Sequence, residues 1–204
     1  MPFNLSKIII ISTAQKDESS VNAEQVSQTV LGDFNIIQNN DIYISVERNE
    51  NNAKKDELIK NITVENIEIT EAPKKGTLKA YMPNSLDGSK YNYSDDYLVS
   101  QSLTYRGDDQ NNYQNLQINK NGGNIAFSLA NKELGTYVSG ETTEITYNGT
   151  MLSKLGLTSE DVKSKIAFNL VIELDDGKKY SGRVELDVNC EGLVETGKTQ
   201  TEIT

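Results

Sequence analysis

The sequence predicts an all-β fold: an antiparallel β-sandwich, immunoglobulin-like in general architecture, with one or two short helices. Three observations point that way. Apolar residues mostly recur at every second position, the period of a strand with one buried face. Turn-forming residues divide these runs into about nine or ten strands, at the spacing usual for sandwiches. Helical periodicity is nearly missing. With one cysteine and no tryptophan, the chain lacks the Cys…Trp…Cys signature of antibody-type domains, so the likeness is one of architecture alone.

Leu5 to Ser12, continuous in isoleucine, reads as a first strand covered on both faces. Residues 14–33 are polar, with Val21, Val26, Val30 and Leu31 spaced for a short helix or an ordered loop that Gly32 ends. Phe34 to Ile37 is apolar, Gln38-Asn39-Asn40 looks like a turn, and Ile42, Ile44 and Val46 then share one strand face. The charged, Asn-rich stretch 47–57 reads as an exposed loop or one helical turn. Between Ile59 and Ile69 the alternation slips phase, and a β-bulge near Glu65-Asn66 restores a single buried face. Ala72 to Gly76 supplies a turn, after which Thr77 to Met82 runs back as the partner strand.

Tyr97 to Tyr105 is strand-like, and Lys120-Asn121-Gly122-Gly123 makes a tight hairpin between Leu116–Asn119 and Asn124–Leu129. Leu134 to Tyr147 alternates again. A helix is predicted over Met151–Leu155, with Thr150 as N-cap and Gly156 as its stop, and Thr158 to Asp161 begins a second short turn. The plainest unit is a hairpin: Ile166, Phe168, Leu170, Ile172 and Leu174 alternate, Asp175-Asp176-Gly177 turns, and Tyr180, Gly182, Val184, Leu186 and Val188 return. Residues 1–192 thus form one sandwich domain, with a possible subdivision near 107–115. Residues 193–204 read as a polar C-terminal tail or linker.

Composition removes several function classes. Histidine is absent, which eliminates imidazole as a general base or metal ligand and leaves carboxylates and tyrosines as the remaining catalytic groups. Acids outnumber bases 30 to 20 and arginine occurs only at 48, 106 and 183, a balance opposed to nucleic acid. The isoleucine run at 8–11 is far shorter than the ~20 residues of a membrane span. The lone Cys190 reads as a buried thiol. Abundant Asn, Ile, Lys and Glu suggest a low-GC bacterial genome.

The segment Tyr91-Asn92-Tyr93-Ser94-Asp95-Asp96-Tyr97 is the candidate binding site. Tyrosine rings beside acids and amides stack on a sugar and hydrogen-bond it, or form a protein-binding patch; equally, tyrosine is simply a good strand residue. Turn acids such as Asp95, Asp96, Asp108, Asp109, Glu173 and Asp175 are the only stock for a paired-carboxylate glycosidase. Asp87-Gly88-Ser89 and the Asp pairs offer oxygen ligands for calcium without an EF-hand spacing. No catalytic residue, metal site or cofactor is assigned. Arg106-Gly107-Asp108 and the Leu193–Gly197 stretch resemble an integrin tripeptide and a sortase signal too weakly to carry function.

The expectation is therefore a non-enzymatic surface or binding module of a bacterial cell envelope or extracytoplasmic space, facing a protein or a glycan. A structural subunit of a larger assembly, such as a phage virion, is the alternative, and a carboxylate-dependent glycosidase comes third. An extracytoplasmic location requires an upstream signal or anchor.

Overall fold

In a computed structural model, the described residues are 1–17, 33–84, 90–106, 118–137 and 150–204. They form ten strands: β1 (Phe3–Lys16), β2 (Phe34–Arg48), β3 (Ile59–Glu71), β4 (Leu78–Tyr81), β5 (Ser102–Arg106), β6 (Gly122–Asn131), β7 (Thr136–Tyr137), β8 (Ser164–Leu174), β9 (Lys179–Val188) and β10 (Lys198–Ile203). Three short helices accompany them: α1 (Thr150–Lys154), α2 (Ser159–Val162) and α3 (Leu193–Thr196). The chain is mostly β, in two antiparallel sheets. One runs β10-β1-β2-β6-β4, with β7 pairing the start of β2, and the other runs β5-β3-β8-β9.

The β1–β2 pair sets the frame. Ile8 lies opposite Ile44 and Ile10 opposite Ile42, and all four are buried. A register shift between Leu5 and Lys7 changes which parity faces inward, so Phe3 is buried before it and Ile8 after it. Contrary to the sequence reading, Gln38-Asn39-Asn40 is no turn, because β2 runs straight through it. Ala14, Thr13 and Ser12 oppose these residues on one side, and Asn131, Ala130 and Leu129 on the other. Both neighbours satisfy the backbone there, which leaves no reason for the chain to turn.

The bulge in β3 falls where the slipped phase places it. The ladder with β8 shifts between Glu65 and Glu68, and Asn66 adopts φ +52°, a left-handed value that asparagine tolerates. Ile62 and Val64 are buried before it, and Ile67 and Ile69 half-buried after it. The next segment departs from expectation: β4 does not return along β3 but crosses to the other sheet and pairs with β6. Gly76, at φ +73°, makes the crossing turn. The Asn131 carboxamide fills the space a side chain at Gly76 would need and donates to Lys75 O at 2.8 Å.

Within the Tyr97–Tyr105 stretch strand starts only at Ser102, and β5 runs one residue past it to Arg106. The Gly122 hairpin reduces to a single Asn119–Gly122 bridge among the described residues, and β6 pairs instead with β2 and β4. Residues 138–149, the suggested boundary at 107–115, and the readings on Val21–Gly32, Asp87–Ser89, Asp108, Asp109 and Leu116 lie outside the described residues. Helix α1 starts at Thr150 itself, and Gly156 (φ +74°) ends it with Leu157 N–H bonded to Leu152 O at 3.0 Å. At α2 the Asp161 carboxylate accepts from the Thr158 N–H at 2.8 Å and from its hydroxyl at 3.1 Å. The β8–β9 hairpin pairs as its sequence alternates, with Ile166 opposite Leu186 and Phe168 opposite Val184. The last residues are not a free tail. They form α3 and then β10, which adds an edge strand to β1 from Ile8–Ile203 to Thr13–Lys198.

One apolar cluster draws on both sheets, including Ile42, Ile44, Ile125 and Phe127 from the first and Ile62, Val64, Phe168 and Leu170 from the second. Phe127 and Phe168 meet edge to face with centroids 5.4 Å apart. The Tyr105 hydroxyl donates to Ala126 O in the opposite sheet. Among the described residues, no helix is long and apolar enough to cross a membrane.

Candidate functional site

Strand alternation gives β2 two faces, and both carry polar residues between Gln38 and Asp41. On the inner face Gln38 and Asn40 are fully buried. Asn40 Oδ1 accepts from the Ser12 hydroxyl at 2.6 Å, from Gln38 Nε2 at 2.7 Å and, more weakly, from the Cys190 thiol at 3.8 Å. Its own amide donates to Leu129 O at 3.4 Å. Burial pushes the Cys190 thiol up to about 11, which keeps it protonated and a poor nucleophile. This inner cluster is a polar knot in an aliphatic core, with the buried Gln38 Oε1 left without a hydrogen-bond partner among the described residues.

The outer face of β2 presents Ile37, Asn39 and Asp41 toward the candidate segment. That segment is built locally. Asn92 Oδ1 accepts the Ser94 N–H at 3.2 Å, and the bond from Tyr97 N–H to Ser94 O at 3.1 Å closes a 3-10 turn over Asp95–Tyr97. Main-chain bonds fasten it to β4: Met82 N–H to Tyr97 O and Val99 N–H to Ala80 O, both 2.9 Å. The tyrosines then fold back over the sheet. Tyr91 and Tyr93 stack with centroids 5.8 Å apart, and Tyr81 meets Tyr93 edge-on at 5.2 Å. Together with Ile37, Ala130, Tyr97 and Leu98 they make a second, smaller apolar cluster. Each ring pair contributes about 0.5–1.5 kcal/mol beyond its buried area.

Beneath the rings lies a residue that sequence reading did not single out, Asp41. Its carboxylate accepts from the Ser128 hydroxyl at 2.6 Å, from Asn39 Nδ2 at 3.1 Å and from the Tyr93 hydroxyl at 3.4 Å. Burial raises its pKa above the ordinary aspartate value, and those three hydrogen bonds pull partly the other way. Burial also drives the Tyr91 and Tyr93 hydroxyls upward, with the Asp41 charge next in effect.

These shifts fix the sign of a pH effect. A carboxyl whose folded pKa exceeds its unfolded one contributes full stability below the unfolded value, near 4, and loses that contribution as pH rises through the folded value. Asp41→Asn keeps the acceptor oxygen and removes the buried charge. It is expected to raise stability at neutral pH by about 1 kcal/mol, or roughly 2–4 °C in Tm. The gain shrinks toward zero below pH ~4, as thermal melts of the two proteins across pH will show.

Of the residues predicted from sequence, the structure brings Tyr91, Tyr93 and Tyr97 together over β2. Asp95 and Asp96 do not join them, because both are exposed in the 3-10 turn. Glu173 bonds Lys60 at 3.3 Å, which lowers its pKa, the opposite of what a general acid needs. Asp175 pairs with Lys120 at 2.8 Å. No group of three or more metal-ligating side chains occurs among the described residues.

Beside the tyrosines a cleft of about 410 Å³ opens at the end of the first sheet. Gln15, Lys16 and Asp17 come from the end of β1, Asn84 and Asn92 from the loops after β4, and Lys132 from the turn after β6. Lys16 is only 4% exposed, with Nζ 5.2 Å from the Phe34 ring centroid. Lys132 Nζ donates to Tyr93 O at 2.9 Å. The chain matches no known family description, no curated protein and no solved structure.

Proposed function

We propose that the chain is a non-enzymatic binding module of a bacterial cell envelope or extracytoplasmic space, and that its two sheets pack face to face as a β-sandwich. The shared core, the Phe127–Phe168 contact and the bond from Tyr105 to Ala126 O support the sandwich. The observation that carries the binding role is the cleft beside Tyr91 and Tyr93. It sets aromatic rings against amide and amine side chains, the mixture that recognises a glycan: apolar ring surface for the sugar face and fixed polar groups for its hydroxyls.

A glycan array probed with the purified protein tests this reading. Binding above background, weakened at least tenfold in Tyr91→Ala and in the exposed Asn92→Ala variant, is the expected result. Undiminished binding by both variants, or no binding at all, would sink it.

The alternative, a structural subunit of a larger assembly, has its own support. Strands β9 and β10 are sheet edges, each paired on one side only among the described residues. Such edges accept strands from other chains. Sedimentation velocity over a wide concentration range decides it, since a clean monomer throughout removes the assembly reading.

A further inference from the structure

We propose that the edge of β3 beyond its bulge takes an extended peptide as an added strand, one in which apolar and basic residues alternate. The site is separate from the tyrosine cleft and does not depend on the glycan reading.

The bulge at Asn66 ends one pairing and opens a slot. Up to Glu65, β3 is flanked by β5 on one side and β8 on the other. Asn66 N–H still reaches Gln101 O at 3.3 Å, but the chain there is crossing between the sheets, because Val99 N–H bonds Ala80 O of β4 at 2.9 Å. From Ile67 to Glu71, β3 therefore pairs with β8 alone among the described residues. Beside this stretch lies a slot of about 420 Å³, and its lining residues are all among those described.

Strand alternation turns apolar side chains into the slot from both sheets. Ile67 and Ile69 enter from the second sheet. Leu78 and Ala80 of β4 enter from the first, with Leu129 opposite Ala80. All five belong to the shared apolar cluster, yet Ile67, Ile69 and Ala80 are only half-buried. Asn66, Ser100 and Gln101 complete the lining, which holds no charged residue. A strand laid beside β3 would bond its open main-chain groups and drop every second side chain into this apolar slot.

The outward positions set the charge of the partner. Glu65, Glu68 and Glu71 succeed one another along this part of β3. Arg183 meets Glu68 at 3.2 Å and Lys165 meets Glu71 at 3.6 Å, both from the β8–β9 side and both at exposed carboxylates. A carboxylate accepts several donors, so each can also hold a cation arriving on the open side. Opposite charges favour cross-strand neighbours and like charges disfavour them, which selects lysine or arginine at the outward positions.

Fluorescence polarisation with labelled, amidated heptapeptides tests the proposal. The probes are Lys-Val-Lys-X-Lys-Val-Lys with valine, leucine or phenylalanine at X, the same peptides with glutamate for lysine, and fully N-methylated lysine peptides. At least one lysine peptide is expected to bind about tenfold more tightly than its glutamate counterpart and than its N-methylated form. Ala80→Phe fills the slot and should weaken binding about tenfold, while the exposed Glu68→Lys should shrink the charge preference about threefold. Thermal melts show whether each variant is folded, and Glu68→Lys decides the matter if Ala80→Phe is not. Equal binding of lysine and glutamate peptides, or no binding by any peptide, overturns the inference. So does undiminished binding of the N-methylated forms, which would mean that the slot takes an apolar group without strand pairing. Binding that ignores the folded variants overturns it too, since the peptide would then have added to another edge.

Discussion

Asn40→Ala is expected to lower the unfolding free energy by about 3–5 kcal/mol, the largest effect of any polar substitution in the core. The size follows from geometry. Asn40 Oδ1 is the shared acceptor for Ser12, Gln38 and Cys190, and Asn40 is fully buried. Removing it takes the short-range acceptor from Ser12 and Gln38 in a dry interior, where each unsatisfied group costs about 1–3 kcal/mol, while the Cys190 thiol keeps Val162 O and Val188 O at 3.8 Å. Ser12→Ala removes a donor but leaves Gln38 bonded to Asn40, so it should cost far less. Urea denaturation of the three proteins checks the ranking. Equal losses for Asn40→Ala and Ser12→Ala would mean that Asn40 is not the hub.

Phe127→Ala and Phe168→Ala should each cost about 3–5 kcal/mol, for a different reason. Both rings are fully buried and come from different sheets, so truncating either opens a cavity in the apolar cluster the two sheets share. Part of each loss is shared. The double variant should be less destabilised than the sum of the singles by about 0.5–1.5 kcal/mol, the extra worth of an edge-to-face pair. Strict additivity would show that the two rings do not couple across the core.

Much of this fold was legible in the sequence wherever one face of a strand is apolar and the other polar. The β8–β9 hairpin is the clearest case, since Ile166, Phe168 and their partners alternate without interruption. The phase slip at Glu65-Asn66 likewise announced a bulge. The run Gln38-Asn39-Asn40 misled because local propensity favours a turn there. A strand position with neighbours on both sides can host amides if other side chains bond them, and Ser12 and Leu129 O are nowhere near in sequence. The crossing of β4 was hidden for a similar reason: alternation in Thr77 to Met82 says that a strand forms, not which sheet receives it. Lys198 to Ile203 looked like a tail because an edge strand needs few apolar residues.

The candidate site divides along the same line. Tyr91, Tyr93 and Tyr97 could be flagged by density alone, and they do cluster. Asp41 and Lys132 could not, because each sits in a different element and meets Tyr93 only after the sheet forms.

The ladder between β1 and β10 joins two segments far apart in the sequence, Ile8–Thr13 and Lys198–Ile203. Until Lys198 to Ile203 have emerged, the newly made β1 has no strand along the Ile8–Thr13 edge, and its isoleucines stand beside open main-chain groups. Closing that pair late, across so long a sequence separation, makes folding slow and leaves a sticky edge exposed meanwhile. The stretch of synthesis between β1 and β10 is therefore the one in which a chaperone covering the Ile8–Thr13 edge has most to offer.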